Sequence, residues 1–495
     1  MTEGCIYLDH AATTPVDPRV AAFMAEVLAE NLGNPGANQS PGRRAAQLIE
    51  QARARVAALI GADPQDIVFT SGATESNNLA ILGHVRGERA ERRRVGHLVT
   101  LATEHKAILA PVRKLEHEGL KASFLLPDPQ GLFSAESLSA ALRAETLLVT
   151  LLHVNNETGV AQDLPALAET CRAHGVALHI DAAQSAGKLA IALDGIDYLS
   201  FTAHKLGGPQ GVGALYVAPH RRVTLEPLIV GGGQERGLRS GTLATHQIAG
   251  FGLACALAAA DREAASLRLA GLRDRLQQGL ADLPGVLLNG DPLHRAPGIL
   301  NLSFEGVEGE SLYTGLAELA LSTGSACNST SGEPSYVLRA LGRDTQLAQS
   351  SLRFSLGRST TQADVDGAIA AVRRELARLR ALSPDQPPPV QDWLAQGARV
   401  VSGEGGARRL GTQLRFVLCV DGEFVKAARF QAYGCPHTLA ACQAIAAHLP
   451  GRSRTSLLPG TPEQWRQDVG APVEKLGRML IIEDALRAAQ GDWLN

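Results

Sequence analysis

Between residues 66 and 217, short runs rich in β-branched residues alternate with longer stretches rich in Ala, Leu and Arg. Strands separated by helices can pair in parallel, so this alternation predicts a mostly parallel sheet covered by helices. The predicted strands span residues 66–70, 97–102, 147–154, 176–180, 198–202 and 213–217. Apolar residues at helical spacing predict helices over 47–60 and 363–382. We therefore expect an α/β fold.

A proline-rich stretch from Leu382 to Val390 marks the clearest boundary in the chain. Successive prolines cannot continue a helix and favour an extended spacer, so a separate unit is expected to follow. That unit is predicted to be a small α+β domain. Its predicted elements are a hairpin over 413–420 and 424–432, helices near 439–448 and 480–489, and a mobile glycine-rich loop over 402–406.

Charge and composition exclude several classes of protein. The 495 residues carry 47 Lys and Arg against 50 Asp and Glu, and this net charge of −3 argues against nucleic acid or an anionic membrane as a partner. The N-terminus lacks the features of a secretory signal, and the longest apolar stretch, residues 248–260, is too short to span a bilayer. We therefore expect a cytoplasmic protein.

The seven cysteines are odd in number, scattered and without a CxxC pair. This pattern argues against a disulfide framework and against a simple zinc site, and it is compatible with a working thiol.

Polar residues follow nearly every predicted strand. Ligands of open α/β sheets bind beyond the carboxyl ends of the strands, so these residues are candidates for a site. They are Ser71–Glu75, Thr103–His105, His153–Glu157, Asp181–Gln184 and Thr202–Lys205.

The combination of these residues is more informative than any one of them. Ser71-Gly72-Ala73-Thr74 suits a phosphate at a helix start, although the same pattern begins ordinary helices. A single lysine after a strand is usually solvated, and a single aspartate usually caps a helix. Together, one lysine, one acid, one histidine and several hydroxyls are what a pyridoxal phosphate site requires.

Residues 1 to about 382 resemble a cysteine desulfurase of the iron–sulfur assembly type, within the fold-type I aminotransferase superfamily. The motifs that carry the resemblance are residues 7–15, 70–75, 103–105, 153–157, 240–242, 323–327 and 351–357. It implies a large domain that binds pyridoxal 5′-phosphate over residues 14–260. A small domain with mixed α/β structure is implied over 1–13 and 261–382, followed by a Pro-rich linker over 383–400.

The resemblance also implies a role for each motif residue. Lys205 would form the Schiff base, Asp181 would pair with the pyridine nitrogen, Gln184 would contact the ring oxygen, and His105 would stack over the ring. Asn156 and Arg353 would bind the substrate carboxylate, Asn156 also bordering the cofactor. The implied phosphate ligands are Ala73, Thr74, Thr202, His204 and, from the second subunit of a homodimer, Thr242.

Cys327 is the implied sulfur acceptor. A free cysteine is most often a small buried residue, but the run from Gly324 to Pro334 is small, polar and flanked by glycine, as in an exposed loop. Its length resembles the housekeeping subgroup of the family. The expected catalytic residues are Lys205, which removes the α-proton of L-cysteine, Cys327, which attacks the substrate sulfur and becomes a persulfide, and His105, which assists protonation of the L-alanine product.

Residues from about 411 onward resemble the iron–sulfur scaffold family through residues 424–435, 472–476 and 482–488. Of the family's ligand positions only Cys435 is clearly kept, so residues 401–495 are expected to form a degenerate scaffold-like domain.

Three interpretations of this domain stay open. It accepts sulfur on Cys435 beside the active site, or it is a docking or regulatory module without chemistry. Alternatively, Cys419, Cys435, His437 and Cys442 bind a metal, which is the least favoured because Cys419 lies in the middle of a predicted strand and a single Cys or His is usually structural.

The expected function is therefore a pyridoxal-phosphate-dependent cysteine desulfurase, a sulfurtransferase that supplies iron–sulfur or other sulfur-cofactor biosynthesis. Its expected partners are L-cysteine, a second copy of the chain, and sulfur-acceptor or scaffold proteins. The alternatives are selenocysteine lysis or transamination by another fold-type I enzyme, and a sulfur-trafficking platform that has lost activity.

Overall fold

A seven-stranded sheet occupies the first half of the chain. The structure is a computed structural model that describes residues 5–92, 96–323 and 333–493. The first-half elements are β1 (Ile6–Tyr7), α1 (Pro18–Ala29), α2 (Ser40–Ile60), β2 (Ile67–Thr70), α3 (Ala73–Asn78), α4 (His84–Arg92), β3 (His97–Leu101), α5 (Lys106–His117), β4 (Lys121–Leu125), α6 (Ala135–Ala141), β5 (Thr146–Leu152), α7 (Leu164–Ala173), β6 (Ala177–Asp181), β7 (Tyr198–Thr202), β8 (Gly213–Val217) and α8 (Thr245–Gln278).

The strand order of this sheet is β2-β8-β7-β6-β5-β3-β4, and β8 runs antiparallel to both of its neighbours. The predicted α/β fold is confirmed, and each predicted strand overlaps an observed one. The prediction missed β4, because Lys121–Leu125 contains no β-branched residue and lies half-exposed at the sheet edge. The carboxyl ends of β2, β7, β6, β5 and β3 lie at one edge.

A smaller antiparallel sheet follows, with strand order β12-β13-β10-β9, and β1 pairs in parallel with β11 beside it. Its elements are β9 (Val286–Leu288), β10 (Ile299–Phe304), α9 (Gly309–Thr314), β11 (Leu319–Ala320), β12 (Ser322–Thr323), α10 (Tyr336–Ala340), α11 (Thr345–Gln349), β13 (Ser351–Ser355) and α12 (Gln362–Ala381).

The 34-residue helix α8 connects the two sheets. Its first half buries Phe251 against Phe69 and Phe201 in the core of the large sheet. Near its end, Leu276 packs in the core of the smaller sheet. Among the described residues, no helix combines the length and apolar character needed to cross a membrane.

The last region is a three-stranded antiparallel sheet, β14-β15-β16, with helices on both faces. Its elements are α13 (Gln391–Ala395), β14 (Arg399–Ala407), β15 (Thr412–Asp421), β16 (Phe424–Tyr433), α14 (Pro436–His448), α15 (Pro462–Asp468) and α16 (Leu476–Asp492). The predicted hairpin and both predicted helices are present in this region.

The predicted mobile loop over residues 402–406 is wrong, because these residues lie in strand β14. Their glycines let the backbone of α16 pack directly on the strand. A Cβ at Gly403 would lie 2.1 Å from the carbonyl oxygen of Ala485, and one at Gly405 would lie 2.5 Å from that of Ile481. The glycines therefore serve close helix–strand packing.

The second half of the predicted Pro-rich linker over residues 383–400 contains regular secondary structure. Helix α13 and the first residues of β14 lie within it, because Trp393 packs against Val417 on the outer face of the sheet. The prolyl segment before them is fixed by Gln431, whose side-chain amide donates to backbone oxygens of Ser383, Gln386 and Pro387.

The last region packs against the smaller sheet and shares a continuous apolar core with it. The hydroxyl of Ser311 donates to the carbonyl oxygen of Gly434 at 2.8 Å, and Lys475 pairs with Glu310 at 2.7 Å. Helix α9 of the smaller sheet is thus joined to two separate segments of the last region.

Candidate active site

A cavity of about 590 Å³ opens at the carboxyl edge of the large sheet. The cavity brings together side chains that follow five different strands in the sequence. The predicted site residues that line it are Ala73, Thr74, His105, Asn156, Asp181, Gln184, Thr202, His204, Lys205 and Arg353. The strand order explains most of this convergence, because these strands all end at the same edge.

Helix α3 begins at the floor of this cavity. Gly72, with a φ of 155°, precedes it, and the N–H groups of Ala73 and Thr74 lack a carbonyl one turn earlier because they open the helix. Thr202 lines the same cavity, and its hydroxyl donates to the backbone oxygen of Val212 at 3.1 Å. Free N–H groups beside a hydroxyl suit an anionic group such as phosphate.

Asp181 ends strand β6 and is buried. Its Oδ2 accepts a 2.7 Å hydrogen bond from Asn77, and its Oδ1 accepts one of 2.8 Å from the backbone N–H of Ala183. Burial raises the pKa of Asp181, and the charges of His105 and Lys205 oppose that rise. A buried carboxylate of this kind is stabilised by a cationic ligand group.

Asn77 was not predicted from the sequence, because it lies within helix α3 rather than after a strand. Its only signal is its position one turn beyond Ala73, on the helix that opens at the cavity. The Oδ1 atom of this buried amide has no hydrogen-bond partner among the described residues.

Lys205 lies in a single helical turn after β7. Its Nζ donates to the backbone oxygen of Ala11 and, at 2.7 Å, to that of Ala12. The same N-terminal segment is fixed to the turn by Thr14, whose hydroxyl donates to the carbonyl oxygen of His204 at 2.7 Å. The N-terminal segment therefore forms one wall of the cavity and holds the lysine amine there.

His105 caps helix α5, and its Nδ1 accepts a 3.1 Å hydrogen bond from the N–H of Ala107. This bond assigns the proton of the neutral ring to Nε2. Burial lowers the pKa of His105; the charge of Asp181 opposes that effect, and the charges of Lys205 and Lys106 add to it. The ring therefore enters the cavity wall as a neutral donor.

Arg353 extends from β13 of the smaller sheet and is 3% exposed. Its guanidinium donates to the backbone oxygen of Asn156 at 2.9 Å and to Asp9 at 2.6 Å. Ser322 also binds both partners of this ion pair. Asp9 was not predicted as a site residue, and only the pairing of the N-terminal segment with β13 places it there.

Two buried glutamates, Glu104 and Glu157, lie near the cavity without lining it, and they hold neighbouring segments in place. Glu104 accepts from the backbone N–H of Leu152 at 2.7 Å. Glu157 accepts a short hydrogen bond from the hydroxyl of Ser335, and burial raises its pKa to about 7.

Two predicted site residues, Thr242 and Cys435, lie outside the cavity, and a third, Cys327, falls outside the described residues. Thr242 is exposed and does not line the cavity of its own chain. Cys435 is 0% exposed at the start of α14, and its Sγ lies 3.4 Å from the hydroxyl of Thr438.

The structure contradicts the proposed metal ligation in the last region. Cys419 faces the α13 side of the sheet, whereas Cys442 lies in the core on the opposite side. Within residues 5–92, 96–323 and 333–493, no group of three or more His, Cys, Asp or Glu side chains is placed to hold a metal ion.

The donor set of the cavity fits pyridoxal phosphate. Free N–H groups and a hydroxyl suit its phosphate, the buried carboxylate suits its ring nitrogen, and the lysine amine suits its aldehyde. Gln184 and His204 complete the walls.

Comparison with known proteins agrees with this donor set. The profile of the class V aminotransferases matches residues 6–367. The cysteine desulfurase IscS of Methylococcus capsulatus is 52% identical over 382 residues, which cover 77% of this chain and 94% of the relative. That of Photorhabdus laumondii is 51% identical over 384 residues, with 77% and 94% covered. A solved structure described as a NifS-like protein superposes with a TM-score of 0.70 at 33% identity, covering 76% of this chain and 100% of the other.

Proposed function

The chain belongs to the class V aminotransferase family and is a pyridoxal-phosphate-dependent cysteine desulfurase of iron–sulfur cluster biosynthesis, and from this premise we propose how its residues divide the reaction. Its substrate is L-cysteine. One observation carries the proposal: Lys205, Asp181 and Arg353, from three separate elements, line a single cavity. We assign these residues to the cofactor aldehyde, the cofactor ring nitrogen and the substrate carboxylate.

Bound in this cavity, pyridoxal phosphate supplies an electron sink for the α-carbon of the substrate. Asp181 keeps a proton on the ring nitrogen, and Asn77 and the N–H of Ala183 hold the carboxylate in place for that task. The N–H groups of Ala73 and Thr74 and the hydroxyl of Thr202 hold the phosphate, with His204 beside them.

Arg353 orients the substrate. Its guanidinium lines the cavity and is fixed by Asp9, Ser322 and the backbone oxygen of Asn156. A substrate carboxylate bound to this guanidinium, next to the side chain of Asn156, would place the α-carbon of L-cysteine toward Lys205.

Lys205 and His105 move protons. The amine of Lys205 removes the α-proton, and the carbonyl oxygens of Ala11 and Ala12 keep the amine at the wall of the cavity when it is not bonded to the cofactor. His105 donates from Nε2 because its Nδ1 is occupied by the N–H of Ala107. We assign it to protonation of the product.

Cys327, which lies outside the described residues, receives the sulfur. The carbon–sulfur bond of L-cysteine breaks, a sulfur–sulfur bond forms on Cys327, and the β-carbon gains the thiol proton. The carbon is reduced while the two sulfurs are oxidised to a persulfide, so L-alanine forms without an external reductant.

A brief pulse of L-cysteine followed by peptide mapping under non-reducing conditions tests this assignment. We expect one additional sulfur on Cys327 and an equal amount of L-alanine in the first turnover. Cys5→Ser, which changes a partly exposed cysteine outside the cavity, serves as the control and is expected to react as the wild type does. Full turnover by Cys327→Ser contradicts the proposal.

We propose that the enzyme is a homodimer in which Thr242 contacts the phosphate bound by the partner subunit. Thr242 is exposed, while its loop is fixed to the chain by Glu235, which accepts from Arg53 and from the N–H of Phe69. A dimer of one Lys205→Ala chain and one Thr242→Ala chain would pair one site carrying both changes with one intact site. About half of the wild-type activity in such hybrids is expected, and no activity would contradict the arrangement.

We propose that the division of the chain follows its sheets, with residues 14–260 as the cofactor domain and residues 1–13 and 261–382 as the small domain. Residues 401–495 would then be a docking module for the protein that receives sulfur. The complete burial of Cys435 supports docking over sulfur acceptance. Sulfur on both Cys327 and Cys435 in the pulse experiment would instead indicate an internal relay.

We also place this sulfur supply in the cytoplasm. The six cysteines of the described residues are all free, as is usual where thiols are kept reduced.

A further inference from the structure

A second cavity, of about 370 Å³, lies behind the first. Ala11 and Lys205 line both cavities and thus form part of the wall between them. Lys188 lines the second cavity and not the first, and in the described part of the chain no carboxylate is paired with it. A partly buried ammonium group without a counter-ion is costly, so its position requires an explanation.

Lys188 contacts the active site through one side chain. Its Nζ donates to Oε1 of Gln184 at 3.4 Å, and Nε2 of Gln184 donates to the backbone oxygen of Ala11 at 2.8 Å. The same oxygen of Ala11 accepts from Nζ of Lys205. A chain of hydrogen-bonding groups therefore connects the two lysines across the wall.

This chain determines which end of the Gln184 amide enters the active site. A charged lysine can only donate, so the carbonyl oxygen of Gln184 must point toward Lys188. The amide nitrogen then points toward Ala11, and its second hydrogen is available to the active-site cavity that Gln184 lines. The backbone oxygen of Ala11 can only accept and requires the same orientation, so Lys188 supplies the second bond that holds the amide in place.

Charge connects the two lysines as well. Burial, together with the positive charges of Lys205 and Arg353, lowers the pKa of Lys188 to about 7. Because the interaction is mutual, a proton on Lys188 disfavours a proton on the nitrogen of Lys205. The other charged or titratable side chains around Lys188 and its cavity are His10, Asp17, Arg19, His204, Asp261, Arg268, Arg353 and Arg358.

We propose that Lys188 is a positioning residue, which fixes Gln184 as a donor toward the cofactor ring oxygen and places a positive charge behind Lys205. The proposal rests on the cofactor site assigned above. It follows that Lys188 favours the unprotonated form of the cofactor-bound Lys205 nitrogen. Loss of the charge and a less firmly held amide donor both act in the same direction, toward tighter proton binding by the Lys205 nitrogen.

The test is a pH titration of the visible absorbance of the holoenzyme, without substrate. In Lys188→Met, which keeps the length of the side chain but neither its charge nor its donors, we expect the titration midpoint to rise by about one pH unit. Lys188→Arg keeps both properties and is expected to stay near the wild-type midpoint. Lys426→Met, the same change at an exposed lysine of the last region, is the matched control.

An unchanged midpoint in Lys188→Met, with cofactor bound, overturns the proposal, and so does an equal shift in Lys426→Met. Should Lys188→Met fail to fold, Lys188→Gln removes the same charge and is subject to the same criterion. Absence of a lysine-bound cofactor absorbance in the wild type would contradict the proposed function itself, and the two failures are therefore distinguishable.

Discussion

The large sheet and the last region both place reactive side chains on strands and helix starts, yet only the large sheet builds a site from them. Around the cavity, Asp181, His105 and Lys205 interact electrostatically because parallel strands end at one edge. In the antiparallel last region, Cys419 and Cys442 lie on opposite faces of the sheet. Sheet topology decides whether chemically capable residues meet.

The largest expected difference between the two regions comes from removing one side chain in each. Lys205→Ala is expected to lower L-alanine release by about a thousand-fold, because its amine is the group held at the cavity wall to move the α-proton. Cys435→Ala is expected to stay within about twofold of the wild type, since the thiol is buried away from the cavity. A comparable loss in both variants, measured as initial rates, would remove the distinction.

A smaller effect is expected at the substrate carboxylate. Arg353→Lys loses the planar guanidinium that we assign to this carboxylate, and KM for L-cysteine is expected to rise about 10- to 100-fold. Arg343→Lys is a matched control, because Arg343 also donates to a side-chain and a backbone oxygen, those of Asn289 and Leu288, outside the cavity. Steady-state kinetics that show equal KM changes in the two variants would contradict the assignment.

The last region can be perturbed through its close helix–strand packing. Gly403→Ala places a Cβ 2.1 Å from backbone atoms of α16, and a loss of about 1–3 kcal/mol in unfolding free energy is expected. Gly477→Ala meets no atom within 4 Å and is expected not to destabilise the protein.

Denaturant unfolding of both variants checks this difference. Turnover below the midpoint of unfolding should match the wild type in each, since the cavity is formed by other elements. An early loss of turnover in Gly403→Ala would show that the active site depends on the last region.

The smallest predicted effect concerns two carboxyl groups in opposite environments. Burial raises the pKa of Glu157 to about 7, so the folded state holds this proton more tightly than the unfolded state. The stability that this proton contributes is therefore fully present below the pKa that Glu157 has in the unfolded state, and it is lost as the pH rises toward 7. Glu157→Gln cannot ionise and can still accept from Ser335, so stability at pH 8 is expected to increase by about 1 kcal/mol.

Glu463 in the last region is the control for this prediction. It is exposed, and hydrogen bonds from Arg466 and Gln467 lower its pKa to about 2, so its contribution is present above the unfolded pKa and is lost only in acid. Glu463→Gln should give no gain at pH 8. Thermal unfolding at pH 5 and pH 8 measures both variants, and a gain for Glu463→Gln would contradict the opposite pH dependence of the two carboxyl groups.

Much of the fold could be predicted because the large sheet is encoded locally. Each of its buried strands is a short apolar run, and the polar residues that follow the strands are candidates on the sequence alone. Strand β4 was not predicted, because an edge strand needs no continuous apolar run. The mobile loop predicted for the glycines of β14 is wrong, because a glycine-rich stretch can form either a loop or a strand on which a helix packs closely.

The chemistry of the site is present in the sequence alone, since the lysine, the acid and the arginine are there whatever their neighbours. How they are held depends on the packing of distant segments. Asn77 on Asp181, Asp9 on Arg353, and Lys188 behind Gln184 are contacts between residues 104, 344 and 4 positions apart. The first two contacts join separate elements, and the third lies at the wall shared by the two cavities. None of them can be read from a local sequence pattern, because the direction of a side chain depends on how distant segments pack.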